Sequence, residues 1–298
     1  MLRLLEITDQ VCSLSLSGVC LVVTTTERKL LQRIPLEELD VLLLSHPGVS
    51  LSGALLAELG RFRVIVLLCD RKCLPLSYVM PVNTTSTYHL ELLEAQLKMT
   101  QPCRKRLWKS IVQSKIKGQD AILQKHRNSS ALKNFFLRVR SGDEGNCESQ
   151  AAAIYWKKLA IFHKRDREAE DANRFLNYVY ALLYATTARY LAAYSLHPQM
   201  ALSHCNPHNA FCLASDLMEP FRPLVDECVL NLLQSHNENE PLTPELKRFL
   251  LEKFVSKSVI MTNGASLQLP DAIRLMSLSY RECVIDNSSA SLLLPCYD

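Results

Sequence analysis

"LPLSYVMPVNTTSTYHLELLEAQLKM", residues 74–99, is where the apolar pattern changes its period. Upstream of it, "VCSLSLSG" (11–18), "VCLVVTTT" (19–26), "DVLLLSH" (40–46) and "RVIVLLCD" (63–70) are short, β-branched or alternating runs bounded by turn residues. Such runs predict strands. One helix interrupts them: Ser50 and Ser52 offer caps, Leu51, Leu55, Leu56 and Leu59 recur at helical spacing, and Gly60 stops it. "LPLSYVMPVNTTST", with Pro75 and Pro81, reads as a linker. Downstream, "YHLELLEAQLKM", "RLWKSIVQSKIKGQDAILQKH", "SQAAAIYWKKLAIFH" and "DANRFLNYVYALLYATTARYLAAYSL" carry apolar residues three and four apart. "PFRPLVDECVLNLLQSH" and "PELKRFLLEKFV" continue the series, with Pro220 and Pro244 as first-turn residues. The expected architecture is α+β: a small N-terminal β-sandwich-like domain over 1–80, a linker over 81–88, and a larger all-α-helical domain over 89–298. Strands followed by helices, with no GxGxxG or GxxxxGK, exclude Rossmann and P-loop readings.

Composition narrows the class. Of 298 residues, 48% are apolar and 21% charged, the balance of a folded protein with substantial cores. No apolar run reaches the ~18 residues that span a bilayer. "MLRLLEITDQ" lacks a signal peptide's apolar core and cleavage site, so a cytoplasmic protein without membrane contact is expected. The Asn-x-Ser/Thr sequons at Asn83, Asn128 and Asn287 then carry no meaning. Eleven cysteines lack paired CxxC spacing and read as reduced, mostly buried thiols. The basic residues are unevenly spread. From Arg104 to Arg140 there are eleven Lys and Arg against one acid, Asp120, and Lys157, Lys158, Lys164, Arg165 and Arg167 follow. Such a run is either a solvated helix face or a surface for a polyanion; its one-sidedness favours the polyanion.

The stretch most loaded with chemistry is "SLHPQMALSHCNPHNAFCLASDLMEPFRPLVD", residues 195–226, with three histidines, two cysteines and four prolines. Hard divalent cations take carboxylate oxygens, and one imidazole suits Mn2+ as well as Mg2+. His204, Asp216 and Glu219 lie close in sequence, with Asp216 and Glu219 at i, i+3 on one side of a helical turn. His197 and His208 read as polar turn residues. A further acid must come from elsewhere, and Glu148, opening a helix after the Gly142–Gly145 loop, is the best source. Glu148 equally suits a helix-dipole role, and spacing alone leaves both readings open.

Four blocks in order resemble the CRISPR-associated integrase family. They are "LLLSHPGVSLSGALLAELGRFRVIVLLCDRKCLPLSYVMPV", "RKRLWKSIVQSKIKGQDAIL", "GNCESQAAAIYW" and "HCNPHNAFCLASDLMEPFRPLVD", the last close to the subtype accompanying single-protein effector nucleases. The resemblance implies a metal-dependent DNA endonuclease and strand-transfer subunit of the CRISPR adaptation complex. It assigns Glu148, His204 and Glu219 as ligands of Mg2+ or Mn2+, with Asp216 an acidic neighbour that could receive the far nitrogen of His204. It implies joining of short duplex DNA to the CRISPR repeat by transesterification, on double-stranded and branched DNA. It also implies a homodimer through the β domain and a small ferredoxin-like second adaptation protein as partner. Ser203 and Ala201 depart from the family's His and Gly; the Ala bears on the local backbone.

Around such a site Lys115, Lys157, Lys158, Lys164, Arg165 and Arg222 are candidate phosphate contacts, whereas Trp108, Tyr155 and Trp156 read as core. The tail "VIDNSSASLLLPCYD" reads as a flexible C-terminus that could dock a partner. Two other readings are a catalytically inactive DNA-binding scaffold and a zinc hydrolase using His204, Cys205 and His208.

Overall fold

The computed structural model describes residues 4–7, 11–69, 75–79, 89–160, 171–204 and 206–297. The chain divides into two compact units, Met1–Thr87 and Tyr88–Asp298.

The first unit holds two four-stranded sheets and one helix. β1 (Leu4–Ile7), β5 (Val41–Leu44) and β7 (Ile65–Cys69) run parallel, and β8 (Pro75–Val79) closes that sheet antiparallel to β7. In the other sheet, β2 (Cys12–Ser17), β3 (Cys20–Thr25) and β4 (Leu30–Pro35) form an antiparallel meander, with the two-residue β6 (Ser50–Leu51) parallel to β2. Gly18, with φ +60°, opens the two-residue β2–β3 connection, as the primed hairpin turns require. Alternation puts Leu14 of β2 and Leu21 and Val23 of β3 into one cluster with Leu42 of β5, Val66 of β7 and Leu55. Both sheets thus share a core, which is the sandwich-like packing expected. The helix α1 (Gly53–Arg61) starts where Ser52 Oγ accepts from Leu55 N at 3.2 Å; Ser50 is in a strand instead, and Gly60 lies inside the helix. Pro75–Val79, read from sequence as linker, is strand: proline is tolerated as the first residue of an edge strand because no ladder donor is needed there. Residues 81–88 lie outside the described residues.

The second unit is mostly helical: α2 (His89–Lys98), α3 (Gln101–Arg127), α4 (Lys133–Arg138), α5 (Cys147–Leu159), α6 (Asn173–Ala193), α7 (Cys212–Leu217), α8 (Arg222–Leu232), α9 (Pro244–Ser256) and α10 (Leu269–Ile285). α3, 27 residues long, is the strut against which α4, α5, α8 and the 3-10 turns Ser141–Asp143 and Glu219–Phe221 pack. It ends at Asn128, left-handed at φ 47°. Trp108 and Tyr155 are core, at 4% and 0% exposure. Cys103, Cys147, Cys212, Cys228 and Cys283 are buried thiols. No helix among the described residues is long and apolar enough to cross a membrane.

Two expectations are corrected here. The unit is not purely helical, because β9 (Ser258–Ile260) and β10 (Ser266–Gln268) pair antiparallel. Asn263-Gly264, with Gly264 at φ +83°, makes the reversal between them. Nor is the tail after α10 loose. Met261 bridges Pro295, Cys296 N donates to Ile260 O at 2.7 Å, and Leu294 is buried.

One buried charge ties three elements of this unit. The Glu227 carboxylate on α8 takes Lys125 of α3 at 2.5 Å and Lys257, just beyond α9. Burial alone would raise its pKa, but the two ammonium groups outweigh burial and hold it below the usual value. A lowered folded pKa stabilises above the unfolded carboxylate value, and that stabilisation is lost as pH falls through the folded value. Glu227→Gln is therefore expected to cost about 1–2 kcal/mol at pH 7, the exposed Lys125 contributing least. In urea melts the gap from wild type should close as pH falls below about 4; a gap independent of pH would contradict the assignment.

Candidate metal centre

Glu148 is the second residue of α5. Gly142, Asp143 and Asn146 all have positive φ, so the chain turns tightly into the helix. That turn brings the Asp143 carboxylate under the helix start, where it accepts from Cys147 N at 2.9 Å and Glu148 N at 3.0 Å. Two orphan N–H groups of the first turn are satisfied together, which fixes the backbone that carries Glu148.

His204 is held by a second buried aspartate. Asp216, on α7 and fully buried, accepts from Leu202 N, Ser203 N and His204 N at 2.6, 2.9 and 3.2 Å, and faces His204 Nδ1 at 2.5 Å. A carboxylate so placed accepts a hydrogen bond from Nδ1–H, which in the neutral ring leaves Nε2 with its lone pair free. The Asp216 hydrogen bond raises the His204 pKa against the opposing effect of burial. Trp108 of α3 packs edge-on against the imidazole, centroids 5.2 Å apart, and limits its rotation. Ala201 is buried without a positive φ, so the alanine fits this backbone. Ser203 is exposed, His197 is half-buried, and His208 is exposed in a turn beside Asn206.

Glu219 opens the 3-10 turn between α7 and α8, at 3% exposure. Its Oε1 lies 3.1 Å from Arg222 Nη1 and its Oε2 lies 2.6 Å from Lys115 Nζ. Lys115 Nζ is also 2.6 Å from Glu148 Oε1, so one ammonium bridges both glutamates. Burial pushes the Glu219 pKa up, but Arg222 and Lys115 overcome it and keep the carboxyl ionised. Arg222 stacks over the Tyr180 ring at 5.1 Å. Tyr180 and Tyr155 both donate to the buried Asp226, at 2.5 and 3.0 Å, which ties α6 and α5 to α8.

Ligand atoms of Glu148, His204 and Glu219 thus fall within 4.8 Å of one another. The set fits a hard divalent cation: two carboxylates supply charge and one imidazole supplies nitrogen. Among the described residues no other group of three such side chains is placed this way. Cys205, part of the zinc alternative, lies outside the described residues.

The phosphate-contact expectations divide. Lys157 and Lys158 are exposed at the end of α5, and Lys164 and Arg165 lie outside the described residues. Lys115 is buried between the glutamates, and Arg222 lies against Glu219 and the Tyr180 ring. Sequence reading missed Asp143, Asp226 and the internal role of Lys115. The available signal for Lys115 was its position on the apolar stripe of α3, with Leu107, Ile111 and Ile122.

Two carboxylates and an imidazole converging on a helical scaffold define a protein with a candidate divalent-cation centre. The family model described as CRISPR associated protein Cas1 matches residues 5–262, and the chain belongs to that family. It is 34% identical over 269 residues to the CRISPR-associated endonuclease Cas1 of Neisseria meningitidis serogroup C (strain 8013), covering 88% of this chain and 86% of that protein. Among solved structures, a casposase bound to integration product superposes with a TM-score of 0.80 at 19% identity, covering 96% of this chain and 92% of the other. A chain of a Cas6-RT-Cas1–Cas2 complex gives 0.80 at 20% identity, covering 97% of this chain and 36% of the other. These structures are similar in fold.

Removing Lys115 leaves two close carboxylates with only Arg222 to offset them. Breaking a buried ion pair costs about 3–5 kcal/mol, so Lys115→Met should melt well below wild type in chelator. Added Mn2+ should raise its melting temperature by more than it raises that of wild type. Equal shifts would show that Lys115 and the cation do not share a place.

Proposed function

We propose that the chain is a divalent-metal-dependent DNA endonuclease and integrase of CRISPR adaptation. The observation that carries the reading is the convergence of Glu148, His204 and Glu219 within 4.8 Å in a chain of the Cas1 family. The endonuclease name of the 34% identical Neisseria relative supports the activity. The substrate is DNA, duplex and branched. The 3′-hydroxyl of a short incoming duplex attacks a phosphodiester of the CRISPR repeat: one phosphoester bond forms as another breaks, and a hydroxyl is released. No nucleoside triphosphate is needed, and water in place of the 3′-hydroxyl gives plain cleavage.

Glu148, Glu219 and His204 would hold Mg2+ or Mn2+, which supplies Lewis-acid polarisation of a phosphoryl oxygen and a lowered hydroxyl pKa. The rest falls to the side chains. Asp143 fixes the start of α5, so Glu148 needs little reorganisation to bind. Asp216 accepts from Nδ1–H and holds that proton on the ring, so neutral His204 would present the Nε2 lone pair to the ion. Arg222 offsets the charge of Glu219 from the buried side. Lys157 and Lys158, exposed on the helix that carries Glu148, suit a DNA backbone track, and binding through them is salt-dependent and sequence-independent.

A homodimer through the β domain, a small ferredoxin-like partner and a cytoplasmic location complete the proposal. One structural neighbour belongs to a complex in which Cas1 accompanies Cas2, which is in keeping with that partner.

A rival reading, an inactive DNA-binding scaffold, draws on one observation: Lys115 bridges the glutamates as a structural ion pair would. Cleavage of branched DNA with Mn2+ separates the two. Glu219→Ala is expected to lose at least about a hundredfold in rate while retaining DNA affinity, since even partners behind a metal ligand carry effects of about 10–100-fold. Equal rates would leave the scaffold.

A further inference from the structure

The segment after α10 lies beyond residues 5–262, the stretch shared with the family model, and has no part in the chemistry above. It is nonetheless built into the back of the candidate centre. Thr262 N donates to Leu294 O at 2.9 Å and Cys296 N to Ile260 O at 2.7 Å, so residues 294–296 are tied beside the β9–β10 hairpin by an isolated antiparallel bridge. The Pro295 carbonyl, within that segment, accepts from Ser114 Oγ at 3.1 Å in a buried bond. Tyr297 Oη donates to the Pro220 carbonyl. Its ring lies over Gly118, where a Cβ would meet Tyr297 Cζ at 2.6 Å and Pro223 Cγ at 2.8 Å. Only glycine admits this close approach.

The two anchor points are specific. Ser114 precedes Lys115, and Pro220 follows Glu219. Lys115 and Glu219 are ion-paired, their charged atoms 2.6 Å apart. A 3-10 turn is held by poorer hydrogen bonds than an α-helix, and Pro220 brings no N–H to it. An outside donor on its carbonyl therefore helps decide how the turn is oriented, and with it the direction of Glu219.

We infer that the 294–297 segment is a positioning element for the candidate centre, with Tyr297 setting the orientation of Glu219 through the Pro220 carbonyl and Pro295 fixing α3 at Ser114. Tyr297 touches neither Glu148, Glu219 nor His204 by a hydrogen bond in the structure; it acts through the turn. The inference rests on the metal reading above and adds to the centre a residue outside its motifs.

The test uses the full chain and Mn2+ alone, with no DNA. Tyr297→Phe keeps the ring over Gly118 and removes only the hydroxyl; Ser114→Ala removes the other anchor. Free Mn2+ is followed by electron paramagnetic resonance, and melting temperature is measured in chelator. Tyr297→Phe should bind Mn2+ about tenfold more weakly, the low end for partners that orient a ligand, with its melting temperature unchanged. Ser114→Ala should shift affinity in the same direction. Wild-type affinity in both variants would overturn the inference. A fall in affinity that only tracks a fall in melting temperature would also overturn it, in favour of plain packing. Wild type that binds no Mn2+ would instead remove the metal reading itself, and the inference with it.

Discussion

A carboxylate withdrawn from water stays charged only where hydrogen bonds or cations replace its hydration. The helical unit meets that demand at Asp143, Asp216 and Asp226, and the centre follows from how it does so. Asp143 is satisfied by the N–H groups that open α5, and Asp216 by three successive N–H groups of the 202–204 loop and the imidazole. Asp226 is satisfied by two tyrosine hydroxyls from α5 and α6. Each satisfied aspartate is also a geometric constraint. Together they fix the start of the Glu148 helix, the ring of His204, and the packing of α5 and α6 against the helix that follows Glu219.

The cations are placed by the same logic. Glu148 and Glu219 could not approach one another unaided, since two like charges in a half-dry site repel. Lys115 lies between them and Arg222 behind Glu219, which leaves a cluster near neutrality. Under the proposed function, exchange of Lys115 for a divalent ion would connect stability to function, because the ammonium lies between the two carboxylates that would hold the ion. The salt-bridge pattern that resembles an inert structural pair is thus also what a metal site needs while no metal is bound.

Much of this is legible in the order of the residues, and the exceptions have physical causes. Strands buried on both faces, such as Val41–Leu44, announce themselves by continuous apolar runs. Edge strands do not: Leu30–Pro35 is exposed over its first four residues, and Pro75–Val79 begins with proline among turn-like neighbours. The Asn263-Gly264 hairpin signal is present but short, inside an otherwise helical half. The spacing of Glu148, His204 and Glu219 leaves their roles open, and it is the resemblance that singles them out; the fold brings the three together. Lys115 is hidden because α3 carries many basic residues, and only its alignment with the apolar stripe marks it as internal. The bridge at residue 295 is hidden because its polar approach, "DNSSAS", looks like loose chain, while Tyr297 and Gly118 declare their contact only when folded.

The central claim is that preorganised carboxylates and an imidazole share one divalent cation with Lys115 displaced. It is tested most directly by a crystal structure of the full chain soaked in Mn2+, with anomalous scattering locating the metal. The account predicts one strong peak touching Glu148, Glu219 and His204 Nε2, with Lys115 moved off at least one carboxylate and the Asp143 and Asp216 contacts unchanged. A peak elsewhere, or no peak with Lys115 still bridging the two glutamates, would contradict it.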